Sequence, residues 1–235
     1  MWNSNNPSRR LRVLKTIALF VAAVLFVKVL LSILLQYQWY FPPNFDAAFL
    51  IGRRETFTGI YAAAFYTHII SAPLALILGA FLMLSGGRRA IRRVHRWTGR
   101  TQMLIVFALV APSSLVMAGQ AFAGPIAGCG FAVLAIATVL SAAVTIRNAL
   151  SGNFSAHQTW ARRCFILLAS PLLFRLFSGS LVVLERESEW AYRVNAWLSW
   201  ILPMAIHEAW QLYTANGGVR LPRRKPSRRT KEAVL

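Results

Sequence analysis

Six stretches of about twenty residues, dominated by Leu, Ile, Val, Phe and Ala, recur along the chain, and that length matches the hydrocarbon core of a bilayer. They cover 16–37, 58–84, 101–119, 126–146, 164–184 and 194–213. In hydrocarbon every backbone N–H and C=O must be satisfied within the chain, so such runs are expected as helices. The fold class predicted is therefore all-α: an integral membrane bundle of six transmembrane helices. A basic N-terminal arm (1–15) precedes the membrane domain (16–213), and a polar, Pro-broken, basic tail (214–235) follows it, with too few apolar residues to bury a core. The composition agrees: 57% of residues are hydrophobic and 14% charged, against about 45–50% and about 25% in soluble domains.

The net charge of +19 would suggest nucleic acid if the 26 Lys and Arg were clustered on one soluble face. Instead they lie almost entirely between the apolar runs, 20 on one side of the membrane and 4 on the other. The positive-inside rule puts that richer side, and with it both termini, in the cytoplasm, in a plasma (inner) membrane. Anionic lipid headgroups at the cytoplasmic face are the expected partners, at about 1 kcal/mol per basic residue, and nucleic acid is not. The first run is too long for a signal peptide and ends in Gln36-Tyr37-Gln38-Trp39 without a small-x-small cleavage site, so it reads as a retained anchor. Cys129 and Cys164 fall near opposite membrane faces, about 30 Å apart, which excludes a disulfide. Both read as small thiols without a metal-site neighbour.

Lys28, His68 and Arg175 stand near the middle of their spans, where a charge costs about 2.5–3.5 kcal/mol. Helical spacing places His157, Trp160, Cys164, Pro171, Arg175 and Ser178 on one face of span five, with Pro171 freeing the carbonyl of Leu167 near Arg175. Span three carries His95, Thr98, Gln102 and Ser113 on roughly one side, with Pro112 near mid-depth. Both helices begin with His, Trp and Arg; Arg96, Arg100, Arg162 and Arg163 add positive charge to helix ends that already favour anions. Lipid phosphate, a soluble anion, haem propionates or Glu208 would each neutralise them. Glu208, the acid within the last span, is expected as a counter-charge to an Arg or His of spans three or five. His68, followed by Ala72, Ala75 and Gly79, fits a packed imidazole bonded across helices as well as it fits a ligand site. The candidate ligand-binding residues are thus His68, Arg100, Arg163, Arg175 and Glu208. His95 and His157, matched in depth, are the candidate pair for bis-imidazole ligation of b-type haem, with His207 a third. The outer aromatics Trp39, Tyr40 and Phe41 favour the membrane interface.

A resemblance accompanies these residues. Phe41-Pro42-Pro43-Asn44-Phe45, Phe49-Leu50-Ile51-Gly52-Arg53 and Phe65-Tyr66-Thr67-His68-Ile69 open it. It continues through His95-Arg96-x-x-Gly99-Arg100-x-Gln102, Ala111-Pro112-Ser113, Met117-Ala118, Gly130-Phe131-Ala132 and His157-x-x-Trp160-x-x-Arg163 to Arg175, Trp200, Pro203 and Glu208. In this order the pieces resemble a family of bacterial multi-pass membrane proteins classed as a domain of unknown function, from about Tyr40 to Glu208. The chain departs from the family pattern at Ser114, Gln158, Thr159 and Ala161. The resemblance implies a helical membrane protein and no particular activity.

Walker, G-x-S-x-G and H-E-x-x-H signatures are absent from the sequence, which leans against an enzyme. Three classes stay open. One is anion or lipid binding or transport through a cavity lined by Lys28, His68 and Arg175, with Glu208 and the inner Arg cluster at its cytoplasmic mouth. Pro73, Pro112, Pro171 and Pro203 interrupt four spans, as around transporter binding sites. The others are a haem electron-transfer protein and a non-catalytic scaffold or assembly factor.

Overall fold

The computed structural model of the protein describes residues 7–86 and 88–216. Most of the expected disordered tail, residues 217–235, and the first six residues of the basic arm lie outside the described residues. Six long helices follow one another: α1 (Pro7–Leu35), α2 (Gly59–Ser85), α3 (Arg92–Ala118), α4 (Pro125–Leu150), α5 (Phe154–Val183) and α6 (Glu189–Ala215). No strand occurs among the described residues; Tyr40 and Pro43 form an isolated bridge. The helices overrun several of the spans expected from apolar runs. α3 begins at Arg92 rather than near 101, and α5 at Phe154 rather than near 164. Their basic, Trp-bearing openings satisfy backbone groups helically before the apolar run begins.

Among the described residues, five helices are long and apolar enough to cross a membrane: Thr16–Trp39, Gly59–Ser85, Arg92–Ala118, Pro125–Leu150 and Phe154–Val183. The sixth expected span, 194–213, falls within α6. α6 has 27 residues, but Glu189, Arg193, Asn195, His207, Glu208 and Gln211 dilute its apolar content, and it is not among the five. It still packs along α5 and α4, burying Asn195, Ala196 and Ser199.

The centre of the bundle joins Ala75 and Leu76 of α2, Ile105, Val106 and Val110 of α3, Ala142 of α4, and Cys164, Leu168 and Leu172 of α5. Lipid is as apolar as Leu, so close approach rather than water exclusion holds such helices together. α4 accordingly turns small residues inward, including Gly128, Gly130, Ala135, Ala142 and Thr145. A Cβ on Gly128 would stand 2.4 Å from the Ala118 carbonyl oxygen. α1 is peripheral, docking mainly on α5 through Phe26, Val29 and Ile33, which rest on the central cluster.

Within α3 the residues Val106–Val110 form a π-helical turn just before Pro112. Proline has no N–H and its ring crowds the carbonyl four residues back; the wider turn absorbs both problems. Ser113 and Ser114 then donate to the Leu109 and Val110 carbonyls at 2.6 Å each. At one end of the bundle, residues 36–58 fold over the start of α2. Tyr40, Leu50 and Phe65 are buried there beneath Tyr37, Phe45, Phe49 and Phe57, and the Tyr37 hydroxyl donates to the Ile69 carbonyl. Arg53 fastens this cap, donating from Nη1 to the Tyr61 hydroxyl (2.8 Å) and the Gln120 carbonyl (2.6 Å). Trp39 and Phe41 remain exposed at its rim. The aromatics of this loop therefore cover one end of the bundle.

Candidate functional site

The sequence suggested one central cavity with a cytoplasmic mouth. The structure divides those residues into three separate places. One of them is a cleft of about 790 Å³ between α1 and α5. Along α1 and into the turn that follows it, Lys28, Ser32 and Gln36 fall four residues apart beside the Phe26–Val29–Ile33 contact. From α5 come Arg175, Ser178, Gly179 and Ser180. Arg175 donates to the Gln36 Oε1 at 3.1 Å. Neither Lys28 nor Arg175 has a carboxylate within ion-pair distance among the described residues, where the ion pairs are Arg163–Glu208 and Arg193–Glu189. Asn195 of α6 backs the cleft, donating from Nδ2 to Ser178 Oγ and to the Phe174 carbonyl, 2.9 Å each. Gly179 leaves nothing within 4 Å of where a Cβ would stand, so the floor of the cleft stays open.

Two expectations about this face are corrected. Cys164 is buried in the central core rather than sharing a polar face with Arg175, while Pro171 is exposed. The Leu167 carbonyl that Pro171 leaves without its helical donor accepts from Ser170 Oγ at 2.7 Å, so its lost bond is replaced within α5 itself. The residues missed from sequence are Ser32, Gln36 and Asn195. The four-residue spacing of Lys28, Ser32 and Gln36 in an otherwise apolar helix was the signal for the first two; Asn195 had none, because it acts through a neighbour on another helix.

His68 does not line this cleft. It lies between α2 and α3, its Nδ1 at 3.2 Å from Ser114 Oγ and 3.4 Å from Ser113 Oγ. The imidazole thus closes the polar gap left by the π-helical turn, as a packed His bonded across helices. Gln102, from the same helix, is buried and donates to the Ala75 carbonyl at 3.2 Å.

The third place is the opposite end of the bundle from the aromatic cap. Arg163 grips Glu208 with two parallel bonds, Nε to Oε1 at 2.6 Å and Nη2 to Oε2 at 2.7 Å. Its guanidinium also stands 4.4 Å from the Trp160 ring centroid. This fork geometry is the strong form of the pair; it occupies Glu208 as the counter-charge expected for span three or five, here Arg163 of α5. Arg100 stays apart, its guanidinium 5.2 Å from the Trp97 ring centroid. His95 Nδ1 lies 2.9 Å from Ser85 Oγ, and His157 Nδ1 lies 3.0 Å from the Thr145 carbonyl oxygen. No group of three or more His, Cys, Asp or Glu suited to a metal ion occurs among the described residues. Cys129 and Cys164 are both free thiols.

A family model described as "Predicted membrane protein (DUF2306)" matches residues 65–211. That stretch runs from the aromatic cap's Phe65 through Glu208 and includes Arg163 and Arg175; Lys28 and Gln36 fall before it. Neither the curated proteins nor the solved structures contain a match to the chain.

Proposed function

The chain belongs to this family of predicted membrane proteins of unknown function, and from that premise we propose that it binds an anionic, phosphate-bearing lipid in the α1–α5 cleft. The observation that carries this reading is Lys28 and Arg175 facing one open cleft with hydroxyl and amide side chains and no carboxylate. A cation at membrane depth costs about 2.5–3.5 kcal/mol, and two sharing a cleft repel one another as well. A headgroup phosphate removes both penalties. Ser32, Gln36, Ser178 and Ser180 supply further bonds, and acyl chains continue along the exposed apolar face of α1, where Leu31, Leu34 and Leu35 point outward.

In this reading α6 is a sixth span. Its polar residues are tolerated because Glu208 is paired with Arg163 and Asn195 is bonded to α5. Six spans and the 20-to-4 distribution of Lys and Arg put both termini in the cytoplasm of an inner membrane. The exposed Arg92, Arg93, Arg96 and Arg100 then lie among cytoplasmic headgroups, and the cleft opens toward the outer leaflet.

The test is lipid retention. The protein is reconstituted in phosphatidylcholine nanodiscs containing a minor share of phosphatidylglycerol, re-extracted in mild detergent, and its bound phosphatidylglycerol is measured by mass spectrometry. Arg175→Gln and Lys28→Gln should each lower retention about fivefold, from about 1 kcal/mol per basic residue. Gly179→Leu, which fills the cleft without touching a charge, should do the same, and Arg54→Gln should not. Unchanged retention in all three cleft variants, with only the folded yield reduced, would refute binding and favour a scaffold.

A further inference from the structure

The hydrogen bonds around the α1–α5 cleft fix which of its side chains give protons and which take them. Arg175 Nη1 donates to Gln36 at 3.1 Å. A guanidinium only donates, so the Gln36 atom facing it is the carbonyl Oε1, which the Tyr40 hydroxyl also approaches at 3.4 Å. With Oε1 turned to these two donors, both Nε2 protons of Gln36 are free of any acceptor among the described residues. Ser178 is fixed in a similar way. Asn195 Nδ2 donates to the Phe174 carbonyl, which only accepts, and the same nitrogen donates to Ser178 Oγ, 2.9 Å each. The Ser178 hydroxyl proton is therefore left for an acceptor in the cleft.

Ser32 and Ser180 are the reverse. Ser32 donates to the Val29 carbonyl at 2.8 Å and Ser180 to the Leu176 carbonyl at 2.9 Å, each within its own helix, the back-bonding usual for a hydroxyl on a helix. Their protons are engaged, and each offers the cleft lone pairs. The lining thus combines two kinds of group: Lys28, Arg175, Gln36 and Ser178 present donors, whereas Ser32 and Ser180 present acceptors. An ionised phosphodiester satisfies the first kind. It can do nothing for the second, because its oxygens also only accept, and a polar group left unbonded away from water carries a desolvation cost.

We propose, resting on the lipid reading above, that the headgroup taken by the cleft is a polyol phosphodiester: a singly charged phosphate carrying free hydroxyls, as in phosphatidylglycerol. The phosphate lies against Lys28, Arg175, Gln36 and Ser178, and the headgroup hydroxyls donate to Ser32 and Ser180. A terminal ammonium could also donate to the two serines, but Lys28 and Arg175 repel it, which disfavours ethanolamine. The quaternary ammonium of choline suffers the same repulsion and has no proton to give.

The experiment sets phosphatidylglycerol against phosphatidylmethanol, which has the same charge and the same phosphodiester but no hydroxyl. The full chain is reconstituted in phosphatidylcholine nanodiscs containing equal minor shares of the two, re-extracted in mild detergent, and both retained lipids are measured by mass spectrometry. Wild-type protein should retain phosphatidylglycerol about fivefold over phosphatidylmethanol, the equivalent of one net hydrogen bond of about 1 kcal/mol. Ser32→Ala and Ser180→Ala should each lower that preference, and the double variant should bring it to about one, with phosphatidylmethanol retention unchanged. Gln36→Leu and Ser178→Ala should instead lower both lipids together and keep the wild-type ratio. Equal retention of the two lipids by wild-type protein, or a preference that survives in the double serine variant, overturns the proposal while phosphate binding stands. Retention of neither lipid above the level of Arg175→Gln is the distinct result that removes the lipid reading, and this proposal with it.

Discussion

The Arg163–Glu208 fork makes a prediction with an internal asymmetry. The side chains are 20% and 39% exposed, so the pair lies between two regimes: exposed ion pairs couple by about 0.2–1 kcal/mol, while breaking a buried one costs about 3–5 kcal/mol. Two short parallel charge-assisted bonds at 2.6 and 2.7 Å put the expected coupling above the exposed range, and the exposure of Glu208 calls for a discount from the buried one. A double-mutant cycle of Arg163→Gln, Glu208→Gln and the pair should give about 2 kcal/mol. The single substitutions should not be equal. Arg163 also stacks over Trp160 at 4.4 Å, a contact worth about 0.5–1 kcal/mol at a partly exposed site. That contact disappears in Arg163→Gln and survives in Glu208→Gln, so the Arg substitution should cost more by that amount. Unfolding in mixed micelles by rising dodecyl sulfate, followed by the fluorescence of the eight tryptophans, measures all four proteins. Molar salt, which shortens the screening length to about 3 Å, should reduce the coupling without abolishing it. A coupling below about 0.5 kcal/mol, or a Glu208→Gln cost exceeding that of Arg163→Gln, would refute the assignment of this pair as the clamp between α5 and α6.

Gly128→Ala and Gly179→Ala separate packing from helix propensity. The first places a methyl 2.4 Å from the Ala118 carbonyl oxygen, so α3 and α4 must part, at about 1–3 kcal/mol. The second meets open space and should gain up to about 1 kcal/mol from the better helix former; equal effects in the same unfolding assay would count against the α3–α4 contact. Orientation is checked by single cysteines in a cysteine-free background. Thr56→Cys in the aromatic cap should react with an impermeant maleimide added to intact cells, and Ser151→Cys in the α4–α5 turn only after the membrane is opened. The reverse pattern would overturn the charge-based topology.

The apolar runs alone were enough to specify helices, their order and their approximate places, because in hydrocarbon the backbone has no other way to satisfy its hydrogen bonds. The cost of burying charge also singled out Lys28, His68, Arg175 and Glu208 as residues in need of partners. It could not say which partners. That depends on helix azimuth and on local backbone departures that a regular 3.6-residue period does not carry. Just past the π-helical turn in α3, Ser113 and Ser114 meet His68, which lies outside the cavity expected to hold it. Ser170 takes the carbonyl that Pro171 frees, and Cys164 turns into the core while Arg175, eleven residues on, turns toward α1. Gln36 meets Arg175 across 139 positions of chain, and Arg163 meets Glu208 across 45. Such pairings are settled by how small residues such as Gly79 and Gly128 let helices approach, a collective property of the packed bundle. The sequence by itself determined a membrane-embedded all-helical chain and its unaffordable charges. Only the tertiary structure decided that those charges form a clamp and an open cationic cleft, because solvation in lipid is a demand each residue makes alone, whereas its answer requires a neighbour.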